Sequence, residues 1–137
     1  MKRAVTVKKI KPAFKDARGI ITDLLNQKIS HVGLITTTKG SVRASHYHLK
    51  SSQYSYILSG AFEVLTATVK FPRKITRYVV NAGELISISP GVIHRFQALK
   101  KADMVDMISE SRSQNAYESD VVRVAFLDGV FVLPKNE

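Results

Sequence analysis

Short β-prone segments separated by turn residues are the feature that most constrains the fold of this chain. Segments rich in Val, Ile, Thr, Tyr and Phe are interrupted by Gly, Pro, Asn or Asp roughly every eight to twelve residues. About ten short strands are expected from this pattern, and no segment of useful length has a helical period. Because such spacing is typical of sandwiches and barrels, the sequence predicts one all-β domain over residues 1–137.

Two pairs of predicted strands in the middle of the chain matter most for function. Ser59-Gly60 is predicted to turn the chain within the first pair, and residues 100–103 within the second. The polar stretch 109–120 is predicted to be irregular. The strands of the two pairs are predicted at 53–58 and 61–71, and at 94–99 and 104–108.

The chain is strongly basic, with 21 Lys and Arg against 11 Asp and Glu and a net charge of +10. Such a surface attracts polyanions, including phosphorylated small molecules. The basic residues are spread along the sequence and form no basic helix or continuous tract, so we favour a solvated basic surface and expect no nucleic-acid partner.

Other features of the composition concern the cell compartment. No apolar run approaches the roughly 20 residues that cross a bilayer, so no membrane partner is expected. The N-terminus has no hydrophobic signal core, and the chain has no cysteine. We therefore expect a cytoplasmic protein.

Three of the four histidines fall in two short blocks that are bounded by turn residues. His46 and His48 lie two residues apart on a predicted strand at 41–48, so their imidazoles face the same side. His94 follows the Pro90-Gly91 turn. We expect the three rings to form a polar site inside the barrel, although a polar core satisfied by Ser and Thr hydroxyls is the alternative. His31 carries no motif and is assigned to the structure or surface.

The two blocks resemble the two motifs of the cupin superfamily, over roughly residues 40–99. The resemblance implies a double-stranded β-helix, the cupin jelly-roll barrel. Two departures stand out: Gln53 replaces the usual Glu, and the Asn that usually follows the last His is missing from Arg95–Ala98. The matching residues are Gly40, His46, His48, Gln53, Gly60, Gly83, Pro90 and His94.

A narrower resemblance is to the nucleotide-sugar branch of cupins, which includes the dTDP-4-dehydrorhamnose 3,5-epimerases. His46-x-His48 with Gln53 is more similar to the dTDP-4-oxo-6-deoxyglucose 3,4-ketoisomerases. The epimerases also use a Lys shortly after their histidine, whereas this chain has no Lys between Lys50 and Lys70. The motifs that carry this resemblance are Asp16-x-Arg18-Gly19, Val42-Arg43-x-x-His46-Tyr47, Ile88-x-Pro90-Gly91-x-x-His94-x-Phe96-x-x-Leu99 and Tyr117–Arg123.

The resemblance implies an isomerase or epimerase that moves protons on a keto-deoxysugar nucleotide and requires no cofactor. Histidine suits proton transfer because its ordinary pKa, near 6.5, is close to working pH. His46 would be the principal base and His48 a second acid or base. The implied substrate-binding residues are Arg18 and Arg43 for phosphate or sugar, Tyr47 for stacking or hydrogen bonding, and Gln53 and His94.

A metal centre is the main alternative and uses the same atoms. The imidazoles of His46, His48 and His94, with the side-chain oxygen of Gln53, could bind Fe, Mn, Ni or Zn and leave positions open. Such a site would suit an oxygenase or a small-molecule isomerase. A third possibility is a barrel that binds a small molecule without catalysis.

The expected partners are a phosphorylated or nucleotide-linked small molecule and a second copy of the chain. Barrels of this family usually dimerise, and the N-terminal arm could supply an exchanged strand. A homodimer is therefore expected.

Overall fold

The structure is a computed structural model that describes residues 3–135, apart from the side chains of Ala44 and Gln114. Strand is the dominant conformation, so the prediction of an all-β fold is confirmed. The elements are β1 Val5–Lys9, β2 Phe14–Asp16, β3 Gly19–Ile21, β4 His31–Thr37, β5 Val42–His48, β6 Gln53–Thr68, β7 Thr76–Asn81, β8 Glu84–Ile88, β9 Val92–Ile108, α1 Gln114–Asp120, β10 Val121–Arg123, β11 Ala125–Leu127 and β12 Val130–Val132.

Two long antiparallel strands form the frame of the barrel. β6 has 16 residues and β9 has 17, and they pair along nearly their whole length. The predicted breaks at Ser59-Gly60 and at 100–103 are wrong, because the chain bends there without ending either strand. The register shifts between Ile57 and Phe62 take up the bend. Gly60 has φ +78, and a Cβ at this position would collide with the backbone of Lys101.

The bend divides the pairing into two faces that share β6 and β9. On one face, β1 pairs with β8, β8 with the first half of β6, and β4 with the second half of β9. On the other face, β7 pairs with the second half of β6, and β5 joins the first half of β9 to β10. Antiparallel sheets folded over one another in this way form a jelly roll.

The hydrophobic core lies between the two faces. Phe62, Val64 and Phe96 are almost completely buried, and the Phe62 and Phe96 rings meet edge to face with centroids 5.6 Å apart. Their alternation with outward-facing side chains fixes the register, since a slip by one residue would expose the whole apolar set. Phe96 and Met104 of this core also line the cavity that contains the histidines.

The segment 109–120, predicted to be irregular, contains a short helix at its C-terminal end. α1 spans Gln114–Asp120 and leads directly into β10. Seven mostly polar residues give no helical period that could have revealed it. Its position matters because β10 pairs with β5, which carries two of the histidines.

The N-terminal arm is the most exposed part of the fold. β2 and β3 form a hairpin, and every residue from 11 to 21 is exposed. β3 ends at Ile21, so the apolar stretch 20–25 is extended only at its start. None of the described residues belongs to a helix long and apolar enough to span a membrane.

Candidate functional site

A β-bulge in β5 decides which of its side chains face the barrel interior. Arg43 pairs with Phe96, and His46 pairs with His94, with a register shift between residues 44 and 46. Strict alternation would turn Arg43 and His46 to opposite faces because they are three residues apart. The bulge removes this conflict, so both side chains line the same cavity.

Three imidazoles meet inside this cavity, which has a volume of about 320 Å³. The ring centroids of His46 and His94 are 4.7 Å apart, those of His46 and His48 are 5.0 Å apart, and those of His48 and His94 are 5.6 Å apart. His48 and His94 are buried, and His46 is half-buried. The volume falls within the range of small-molecule sites, roughly 300–1,000 Å³.

Asp120 holds one end of the His48 ring. Its Oδ2 accepts a hydrogen bond from His48 Nδ1 at 3.0 Å and from Ser51 Oγ at 2.5 Å. Its Oδ1 accepts the backbone amide of Lys50 at 2.7 Å. Burial by itself would raise the pKa of Asp120, but the hydrogen bonds from Ser51, Lys50 and His48 outweigh it and lower the pKa. The carboxylate is therefore ionised and orients His48.

Gln53 holds the other end of the same ring. His48 Nε2 lies 3.2 Å from Gln53 Oε1. Behind it, Gln53 Nε2 donates to Ser55 Oγ at 3.2 Å, and Ser55 Oγ donates to Asp106 Oδ1 at 2.7 Å. Burial raises the pKa of Asp106, and the Ser55 hydroxyl and His48 oppose that shift. His48 is thus held through both of its nitrogens.

The other two histidines are neutral at physiological pH. Burial lowers the pKa of His46 to about 4, and electrostatic repulsion from His48, Arg123 and Arg112 adds to the effect. Burial also lowers the pKa of His94 well below its usual value. His94 Nδ1 lies 3.0 Å from the Val92 carbonyl oxygen and so carries the proton, which leaves Nε2 as an unprotonated acceptor. A neutral imidazole can accept a proton or bind a metal.

Cationic and aromatic side chains lie at the mouth of the cavity. Arg43 is fixed by Nη2, which donates to the Thr36 carbonyl at 2.6 Å, and by Nε, which donates to Thr37 Oγ1 at 3.2 Å. The guanidinium of Arg112 lies 4.2 Å from the ring centroid of Tyr117, and both residues line the cavity. Two guanidinium groups beside one cavity can bind an anionic substrate.

Tyr47 and Arg18 are the two predicted site residues that the structure does not place in the cavity. Tyr47 lies between His46 and His48 on β5, so its ring faces the opposite side and packs near Phe131 and Ile93. Arg18 lies on the exposed β2–β3 hairpin and is paired with Asp16 at 2.7 Å. Within this chain, neither residue is available to a ligand among the histidines.

Several residues that line the cavity or hydrogen-bond to its lining were not singled out from the sequence. Asp120 and Tyr117 belonged to a motif of the resemblance, but the stretch that contains them was predicted to be irregular. Asp106, Ser55 and Arg112 had no proposed role at all. Asp106 follows β-strand alternation on β9, so its inward position could have been inferred; Arg112 lies in an irregular segment with no such signal.

The donor set of the cavity also fits a metal ion. One ligand atom from each of His46, His48 and His94 lies within 4.8 Å of the others. His94 Nε2 is buried and, among the described residues, has no hydrogen-bond partner. Imidazole ligands suit ions such as Zn, Ni or Fe. Gln53 would be a neutral fourth ligand, and its oxygen would have to leave His48 Nε2.

A second, larger groove lies outside the barrel. It has a volume of about 740 Å³ and runs along β1, β8 and the segment 23–27. Within residues 3–135 no histidine lines it, and its ionisable groups there are Arg3, Lys8, Lys9, Lys11, Asp23 and the Tyr54 phenol. Because it lacks groups that change charge near neutral pH, we assign the chemistry to the smaller cavity.

The fold and the cavity together define a jelly-roll barrel that carries a histidine-lined site in its interior. The family model described as Cupin matches residues 23–134, so the chain belongs to the cupin family. No curated protein matches the sequence.

Solved structures with the same fold include nucleotide-sugar enzymes. A dTDP-4-dehydrorhamnose 3,5-epimerase from Sulfolobus tokodaii has a TM-score of 0.70 and 17% identity, over 92% of this chain and 80% of that one. A sugar 3,4-ketoisomerase from Thermoanaerobacterium thermosaccharolyticum, in complex with TDP, has a TM-score of 0.72 and 22% identity, over 90% of each chain. A 3'-monoepimerase from Streptomyces bikiniensis, in complex with dTDP-quinovose, has a TM-score of 0.74 and 16% identity, over 91% and 71%.

Proposed function

We propose that this protein is a nucleotide-sugar isomerase or epimerase that moves protons on a keto-deoxysugar nucleotide. The observation that carries the proposal is the pairing of a neutral His46 with a His48 held between Asp120 and Gln53 in one small cavity. The named activities of the structural neighbours point to the same class of substrate.

The chemistry needs a base and an acid on either side of an enediol. His46 accepts the proton from the carbon next to the carbonyl, and the electron pair moves onto the carbonyl oxygen. His48 gives that oxygen a proton, which completes the enediol. If His46 then gives its proton to the former carbonyl carbon while the neighbouring hydroxyl gives its proton to His48, the keto group has moved by one position. If solvent instead protonates the original carbon from the other face, while the former carbonyl oxygen returns its proton to His48 and His46 releases its proton to solvent, that centre is inverted.

The mouth of the cavity supports an anionic substrate. Arg43 and Arg112 can bind the oxygens of a diphosphate, and the Tyr117 ring offers a stacking surface for a sugar or base. The 3,4-ketoisomerase type is favoured, because Ser55 lies where a 3,5-epimerase would carry a lysine close to its histidine.

Solvent deuterium exchange tests the proposed reaction. Incubation of the protein in D₂O with dTDP-4-keto-6-deoxyglucose should introduce deuterium next to the carbonyl, detected by mass spectrometry and NMR. His46→Ala should reduce the exchange by about 10²- to 10⁴-fold, which is the usual contribution of general acid–base catalysis. The matched control is His31→Ala, since His31 lies outside the cavity. The absence of exchange with any nucleotide sugar would favour a binding protein without catalysis.

A metal-dependent enzyme is the second candidate, favoured by the unpartnered Nε2 of the buried His94. The three histidines would hold the ion, which would polarise a bound oxygen or carbonyl of the substrate. The first proposal predicts that exchange persists after treatment with a chelator. Metal analysis of protein purified without added metal decides between the two: stoichiometric Fe, Ni or Zn that is lost in His94→Ala would overturn metal-free proton transfer.

A further inference from the structure

A line of buried hydrogen bonds runs away from His48 and crosses from β6 to β9. Gln53, Ser55 and Asp106 are 7%, 0% and 6% exposed. Ser55 pairs with Asp106 across the two strands, so the line follows the register of the sheet. These groups do not face solvent, and the proton transfers described above do not use Ser55 or Asp106.

Asp106, at the far end of the line, determines which group donates and which accepts in each hydrogen bond. Asp106 Oδ1 accepts the single hydroxyl proton of Ser55 at 2.7 Å. The Ser55 oxygen can then only accept, and it accepts from Gln53 Nε2. The amide of Gln53 is therefore oriented with its nitrogen toward Ser55 and its oxygen toward His48.

The same direction carries through to the imidazole. Gln53 Oε1 is an acceptor, so His48 Nε2 must donate to it. His48 Nδ1 faces the ionised Asp120, so it donates as well. His48 therefore donates a hydrogen bond from each of its nitrogens. The neutral His46 in the same cavity has one unprotonated ring nitrogen, which can accept a proton.

We propose that Ser55 and Asp106 are positioning residues, which orient the Gln53 amide so that its oxygen accepts from His48 Nε2 and keeps a proton on that nitrogen. The proposal rests on the proposed function only where it gives the proton on His48 Nε2 a role in catalysis. The hydrogen-bond order itself is a property of the free protein.

The proposal also explains the departure from the cupin motif at position 53. A glutamate has no N–H, so it could not donate to the Ser55 hydroxyl while that hydroxyl donates to Asp106. With a carboxylate at position 53, this carboxylate, the Ser55 oxygen and Asp106 would all be acceptors, and the contact between position 53 and Ser55 would have no donor. Glutamine can accept from His48 at one end and donate to Ser55 at the other.

¹⁵N NMR of the histidine rings tests the order without any substrate. The full chain, treated with a chelator, is labelled at histidine, and the His48 signals are assigned by their loss in His48→Gln. We expect a protonated shift at Nε2 of His48 in the wild type. In Ser55→Ala and Asp106→Leu, the amide of Gln53 is free to turn, and the Nε2 signal should move toward the unprotonated shift.

Ser59→Ala is the matched control. Ser59 is another serine on β6 that donates to an aspartate on β9, Asp103, at 3.3 Å, but it does not line the cavity. We expect the His48 signals to be unchanged in this variant. With the dTDP-4-keto sugar, Ser55→Ala should lower kcat by about 10-fold or more with little change in KM, since His48 would lose its donor role.

The outcomes separate this proposal from the proposed function. An unprotonated Nε2 in the wild type overturns the positioning role, and this result needs no variant to fold. An Nε2 shift that Ser55→Ala leaves unchanged overturns it as well. If the shifts behave as expected but no nucleotide sugar exchanges deuterium, the positioning of His48 stands and the proposed reaction fails.

Discussion

His46 and His48 lie two residues apart on the same strand, but their surroundings in the fold differ. His48 is hydrogen-bonded at both nitrogens, to Asp120 and to Gln53. Burial, together with the nearby His48, Arg123 and Arg112, lowers the pKa of His46 to about 4. Two groups of one residue type are thus divided into a base and an acid by what surrounds them, as in many enzymes that use paired titratable groups.

The sequence predicts that His46 and His48 face the same side of β5, but it does not predict the side chains that hydrogen-bond to them. Alternation along a strand is enough to place His46 and His48 on one side. Asp120, in contrast, is separated from His48 by 72 positions and belongs to a helix that has no local signal. Contacts between residues so far apart depend on how the strands pair, which no short motif encodes.

The lowered pKa of His46 predicts that acid destabilises the fold. Its value of about 4 is below the ordinary 6.5, so the unfolded chain binds a proton that the folded chain excludes. Stability should therefore be complete above pH 6.5 and decrease as the pH falls toward 4, by about 3 kcal/mol from His46 alone. The buried His94 shifts in the same direction and adds to the loss.

Urea unfolding at pH 8, 6.5, 5.5 and 5 measures this dependence. His46→Gln should flatten the pH profile, because the replacement does not titrate. The comparison variant His31→Gln changes a histidine outside the cavity and should keep the wild-type slope. Identical slopes in His46→Gln and wild type would contradict the assignment of a neutral, buried His46.

Among the elements, β5 shows why strand patterning alone could not assemble the site. The alternating pattern predicts a strand at 41–48, and the structure has one at Val42–His48. It cannot predict the bulge between residues 44 and 46, which leaves one residue without a partner on β9. That extra residue is what allows Arg43 and His46 to share a face. Bulges close to functional sites have this effect in many sheets, where they redirect a side chain.

β6 and β9 show the opposite case, in which local turn signals mislead. Ser59-Gly60 and Lys100–Asp103 have the composition of turns, and both were predicted to end a strand. In the fold the two segments lie against each other, and the pairing of β6 with β9 continues through them. Gly60 supplies the positive φ and the close backbone approach that the bend requires. Tertiary pairing therefore outweighs local turn propensity at these positions.

At the scale of the whole molecule, the N-terminal arm and β4 together carry five exposed large apolar side chains. Phe14, Ile20 and Ile21 on the β2–β3 hairpin are 52%, 54% and 58% exposed, and Val32 and Leu34 on β4 are 62% and 67% exposed. β4 pairs with β9 along one edge, and among the described strands none pairs with its other edge. A free edge beside an apolar surface favours association with another chain.

These features predict a homodimer in which the arm of one chain covers β4 of the other. Leu34→Lys would place a charge in the buried contact, and it should convert the dimer to monomer in sedimentation velocity experiments. Leu58→Lys is the matched control, because Leu58 is an exposed leucine, 49% accessible, on β6. It should leave the dimer intact. Arg18 lies at the tip of the same hairpin, so a dimer formed through the arm would also carry this predicted substrate-binding residue toward the partner. A wild-type protein that sediments as a monomer at micromolar concentration would contradict the prediction, and Arg18 would then have no route to a ligand.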